Sequence, residues 1–124
     1  MADNINAKTF NPQELKVLMD QNDQVLVLDL LPGDFYQNKH IPGAKNACVY
    51  EMTFVNQVQV LAKGKDQHII VYGADSSSLD SEVAVDKLTR DGYTNVSRLA
   101  GGIKAWQDAG QTLGGYDEQL PIGP

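Results

Sequence analysis

The chain has 124 residues, 42% apolar and 21% charged, with a formal net charge of −6. That length supports one domain whose core can stand without metal or disulfide help. The acidic balance excludes nucleic acid and anionic membrane as expected partners, because both need clustered Lys and Arg, and here only Lys63 and Lys65 lie close together.

A single cysteine, Cys48, can form neither an intramolecular disulfide nor a thiolate metal site, so no metal or cofactor is expected. Residues 1–9 lack the basic start and apolar core of a signal peptide, and no apolar run approaches the length of a membrane span. The expected setting is cytoplasmic, or periplasmic if a leader has been removed ahead of Met1.

Asn11-Pro12-Gln13-Glu14 is a helix start: Asn11 can cap, Pro12 suits the first turn, and Glu14 stands three residues after the cap. Residues 24–29, Gln-Val-Leu-Val-Leu-Asp, read as a strand covered on both faces, ending in the carboxylate of Asp29. Leu31-Pro32-Gly33-Asp34 reads as a turn, followed by the aromatic pair Phe35-Tyr36. A second turn at residues 40–44 feeds a short strand around residues 45–48. Residues 50–62 predict a helix, closed by Lys63-Gly64-Lys65-Asp66.

The strand at residues 68–72 delivers a loop, residues 73–78, to a helix over about residues 79–91. The helical period places Leu79, Val83, Ala84 and Leu88 inside and Asp80, Glu82, Asp86, Lys87 and Arg90 outside, with Gly92 as C-cap. A further strand at residues 95–99 breaks at Gly101-Gly102 before a last helix, residues 103–109, that carries Trp106. Strands alternating with helices imply an α/β fold with a small central parallel sheet and helices on both faces. Sites in such sheets lie beyond the carboxyl ends of the strands, so residues 29–40, 73–78 and 100–103 should share one end of the molecule. The expected division is an extension at residues 1–8, the domain at residues 9–112 and a tail at residues 113–124.

Four pieces in this order resemble a rhodanese-like (sulfurtransferase) domain of the longer-loop type. They are Asp29 with His40-Ile41-Pro42-Gly43-Ala44, the strand Ile69-Ile70-Val71-Tyr72, the stretch Gly92-Tyr93-Thr94-Asn95-Val96, and Gly101-Gly102-Ile103-Lys104-Ala105-Trp106. The resemblance implies a cysteine after Tyr72 that takes a sulfane sulfur as a persulfide and passes it to a thiol or cyanide. This chain departs from that pattern. Gly73 stands where the nucleophile belongs, and Leu31 stands where an arginine is expected two residues after Asp29. The loop Gly73-Ala74-Asp75-Ser76-Ser77-Ser78 carries no arginine or lysine. Ser78 holds the place of the second cysteine found in some relatives, whereas Ser81 matches a serine common in that subgroup. A phosphatase reading fails as well, since the arginine it needs six residues after the nucleophile is Leu79.

The serines do not replace the thiol. A serine hydroxyl needs a base and an orienting acid, and the two histidines are placed elsewhere, His40 in its own turn and His68 at a strand start. Ser76, Ser77, Ser78 or Asp80 can cap the following helix, Ser77 with Asp80 approximating a capping box. Asp75, Asp80 and Glu82 crowd the helix start, so the loop should bind small dianions poorly. Cys48 reads as a buried, inert core residue.

The expectation is therefore a catalytically silent domain whose loop serves binding or regulation. Its occupant would be a protein partner, offering for example a lysine, or a small polar ligand. The alternative is a sulfurtransferase of low activity working through Cys48 or a partner thiol. A cysteine restored at Gly73 is expected to be exposed at a helix start with a depressed pKa.

Overall fold

The computed structural model describes residues 8–22 and 24–115. Ten elements run in the order β1 (Thr9–Phe10), α1 (Pro12–Gln21), β2 (Leu26–Asp29), α2 (Gly33–Asn38), β3 (Lys45–Asn46), α3 (Phe54–Leu61), β4 (Ile69–Tyr72), α4 (Asp80–Arg90), β5 (Val96–Leu99) and α5 (Gly102–Asp108). The five strands form one parallel sheet in the order β1-β5-β4-β2-β3.

Alternation along the central strands divides the core into two layers. Leu26 and Leu28 of β2, with Ile69 and Val71 of β4, face Phe54 and Val58 of α3 and Ala84, Val85 and Leu88 of α4. Val27, Ile70 and Tyr72 point the other way, onto Leu15 of α1 and Ile103 and Trp106 of α5. Because both faces are covered, β2 and β4 are buried at every residue, as their continuous apolar runs predict.

Helix α1 starts as its sequence dictates. Asn11 Oδ1 accepts the Glu14 N–H at 2.8 Å, and Glu14 Oε1 accepts the Asn11 N–H at 2.9 Å.

Other boundaries differ from expectation. The helix foreseen over residues 50–62 begins only at Phe54, because residues 50–53 form turns. The turn foreseen at Leu31-Pro32-Gly33-Asp34 leads straight into α2, which buries no residue and so leaves no amphipathic trace. Strand β1, two residues on the edge beside β5, was not foreseen. Within the expected tail, Leu113 packs against the second core layer. The Gly114 carbonyl accepts the His40 N–H at 3.1 Å, and the Gly114 N–H donates to the His40 carbonyl at 2.8 Å. Residues 1–7 and 116–124 of the expected extension and tail lie outside the described residues.

Candidate functional site

Strand β4 ends at Tyr72, and the next residue opens the loop to α4. The loop is held from below by α5: the Gly73 carbonyl accepts the Ile103 N–H at 3.0 Å, and the Ala74 carbonyl accepts the Lys104 N–H at 3.1 Å. Gly102 makes this approach possible. Its φ of +64° favours glycine, and a side chain there would run into the Gly73 carbonyl and the Ala74–Asp75 peptide.

Asp75 organises the next turn. Its Oδ1 accepts both the Ser77 N–H at 3.0 Å and the Ser77 hydroxyl at 2.7 Å. These bonds, the hydroxyl's first, hold the exposed Asp75 carboxyl below the usual carboxylate range. The capping expectation needs correcting here. Ser77 is turned back onto Asp75, and it is Ser78 whose hydroxyl accepts the Asp80 N–H at 3.1 Å. No Ser77–Asp80 capping box forms, because the Asp80 carboxyl is engaged elsewhere.

Gly73, Asp75, Ser76, Ser78 and Ser81 line one wall of a cavity of about 200 Å³, and residues 98–102 line the other. Loop 73–78 and the start of α5 are thus brought together as predicted. The opposite wall supplies a cation that reading the loop alone missed: Arg98 of β5, whose Nη1 lies 3.6 Å from Glu82 Oε1. It could be found only from the strand register, which sets Arg98 beside Val71 on β4. At that distance and exposure the pair is weakly held.

The largest departure concerns Asp80. Placed outside by the helical period, it is 7% exposed, whereas Leu79, placed inside, is 61% exposed. The Asp80 Oδ1 accepts the Tyr50 hydroxyl at 2.6 Å, and this bond raises the phenol's pKa. The carboxyl also lies against Gly73. A Cβ added at Gly73 would stand 2.7 Å from both Cβ and Oδ2 of Asp80 and 3.1 Å from its Cγ. The φ of Gly73 is outside the left-handed region, so space, and not backbone conformation, makes glycine the residue that fits. A cysteine placed there would consequently not project freely as expected, since Asp80 already fills the space its Cβ needs.

On the other face of the sheet, Asp29 is fully buried. Its Oδ2 accepts the Tyr72 hydroxyl at 2.6 Å, and its Oδ1 accepts the Leu31 N–H at 2.8 Å. Tyr72 in turn accepts the Ile41 N–H at 3.1 Å, and burial followed by the Asp29 charge raises its pKa far above normal. Leu31 packs its side chain on the second core layer, so no cation stands at this position. Burial pushes the Asp29 carboxyl up from 3.8 to about 6, against the opposing pull of the Tyr72 and Leu31 hydrogen bonds.

The histidines have structural partners. His40 Nδ1 lies 2.7 Å from the Tyr36 carbonyl, and its ring stacks on Tyr36 at 4.1 Å. His68 Nε2 lies 2.9 Å from the buried Ser97 hydroxyl, just ahead of β4 at the end away from the loop. Burial, with Lys8 nearby, lowers the His68 pKa. Cys48 is buried two residues before Tyr50. Among the described residues, no three His, Cys, Asp or Glu gather in a group that could hold a metal ion. No helix among them is long and apolar enough to cross a membrane.

Comparison with known proteins agrees with this architecture. Residues 11–109 match the family model described as Rhodanese-like domain. The uncharacterized protein YibN of Escherichia coli K12 is 32% identical over 106 residues, covering 86% of this chain and 70% of that protein. The Arabidopsis thaliana mitochondrial protein HIGH ARSENIC CONTENT 1 is 32% identical over 92 residues, covering 67% of this chain and 53% of its own length. Among solved structures, a rhodanese-like domain from Anabaena superimposes with a TM-score of 0.78 at 26% identity, over 94% of this chain and 86% of the other. Thiosulfate sulfurtransferase from Pseudomonas aeruginosa gives 0.77 at 27% identity, over 89% of this chain but 20% of that one. With its parallel sheet, its loop between β4 and α4 and its Gly101-Gly102 turn under that loop, the chain belongs to the rhodanese-like domain family.

Proposed function

We propose that this domain is catalytically silent toward sulfur transfer and that its cup, residues 73–78 with Arg98, serves binding or regulation. The observation that carries this reading is Gly73, which offers no thiol to the cup and has a carboxyl group against its α-carbon. Persulfide chemistry needs a thiolate in electropositive surroundings. Here the nearest acids are Asp75 and Asp80, and the cation on the far wall, Arg98, is shared with Glu82. Serine chemistry lacks a base, because neither histidine lines the cup: His40 Nδ1 lies against the Tyr36 carbonyl and His68 Nε2 against the Ser97 hydroxyl. What remains is a small hydroxyl-lined recess that carries the Asp75 carboxylate apart from the Arg98–Glu82 pair. It suits a polar or cationic group such as a partner's lysine.

The test is thiosulfate-to-cyanide sulfur transfer by the purified chain, with Cys48→Ala measured beside it. The expected result is no thiocyanate from either protein above a heat-killed control. Turnover by the unaltered chain overturns the reading.

A second reading keeps sulfur transfer through Cys48 or a partner's thiol. It draws on the position of Cys48 near Tyr50, the residue bonded to Asp80 beside the loop. Its signature would be one added sulfur atom on the Cys48 peptide after donor treatment, and turnover lost in Cys48→Ala.

A further inference from the structure

Gly73 and Asp80 occupy one shared volume. The two residues stand seven apart in sequence, on either side of the loop, and the Asp80 side chain comes closer to Gly73 than any real Cβ would tolerate. The carboxyl is not idle there: it is buried, and a hydrogen bond of 2.6 Å from Tyr50 fixes its direction. Moving it aside would break that bond, whose donor Tyr50 is itself largely exposed. The Cβ contact cannot be relieved by rotating χ1, because Cβ is the pivot of that rotation.

We infer that Asp80, locked by Tyr50, is the residue that closes this cup to a side chain at position 73, so that the loss of the nucleophile and the presence of Asp80 are one coupled feature. This rests on the silent-domain reading and deepens it. A thiol at position 73 alone would be forced out of place beside a carboxylate that disfavours its ionisation. Position 80 thus decides what position 73 can carry, although Asp80 itself stands behind the loop and does not line the cavity.

A double-mutant cycle tests this, with every protein carrying Cys48→Ala so that position 73 holds the only thiol. Gly73→Cys should lower Tm by about 5 °C or more, as overpacking of a buried contact does. Adding Asp80→Gly should remove most of that loss and raise the rate of thiol modification by a disulfide reagent about tenfold or more. Asp80→Asn, which keeps the volume and removes the charge, should leave the stability loss in place and recover only a minor part of the rate. The inference is overturned if the Gly73→Cys and Asp80→Gly effects simply add, or if Asp80→Asn recovers as much as Asp80→Gly. Should Gly73→Cys fail to fold, Gly73→Ala adds the Cβ alone and carries the same stability comparison with and without Asp80→Gly. Thiocyanate production by the unaltered chain would end the silent-domain reading while leaving this cycle to be decided by its own numbers.

Discussion

Asp29 is fully buried with one phenol and one amide N–H bound to its carboxyl, and an apolar leucine stands where an arginine would neutralise it. The folded chain therefore holds its proton up to about pH 6, whereas an ordinary aspartate releases it near 3.8. Below the lower value both states are protonated and folding carries no charge penalty. Between the two values the unfolded chain ionises first, so stability falls as pH rises; above 6 the whole penalty, about 3 kcal/mol, is in place. Asp29→Asn removes the titration. Urea unfolding at pH 4 and pH 7 should show the variant gaining on the unaltered chain by about 2–3 kcal/mol between the two conditions. A difference that does not change with pH would show that the carboxyl is already relieved of its charge penalty. The position of Asp29 was legible from its place at the end of an apolar run. Its lack of a cation followed from Leu31, but its pairing with Tyr72 required the register that sets the two residues side by side.

At the scale of elements, legibility tracked how much local signal each segment carries. Helix α1 announces itself through Asn11, Pro12 and Glu14, and β2 and β4 through unbroken apolar runs. Strand β1 is two residues long, too short for any period, and α2 buries nothing. Helix α4 was found, but its face was misjudged at one end, because the burial of Asp80 depends on Tyr50 and on the missing side chain at Gly73, both remote in sequence. Capping, by contrast, is local and can be tested locally. Asn11→Ala removes the acceptor for the Glu14 N–H and with it the reciprocal bond, so it should destabilise the domain by about 1 kcal/mol. Urea midpoints measure this directly. A loss below about 0.3 kcal/mol would mean that water replaces the cap at no disadvantage.

For the whole molecule, the two core layers share the strands between them. Ile69 and Val71 belong to one layer, Ile70 and Tyr72 to the other, and all four lie on β4. Neither layer can lose its packing while that strand keeps its place, so the domain should unfold in one step. The single tryptophan makes this measurable. Trp106 is 1% exposed in the layer formed with α1, and its indole N–H donates to the Thr112 carbonyl at 2.7 Å. Far-UV circular dichroism instead reports all the helices, including α3 and α4 on the opposite face. Fluorescence and circular dichroism should therefore give the same urea midpoint and the same slope. If Trp106 became exposed at lower urea than the helices melted, the α1–α5 layer would be a separate unit. The loop, held beneath by the Ile103 and Lys104 N–H groups of α5, would then lose its support before the sheet failed. Coincident transitions would instead mean that the shape of the cup is maintained by the full stability of the domain.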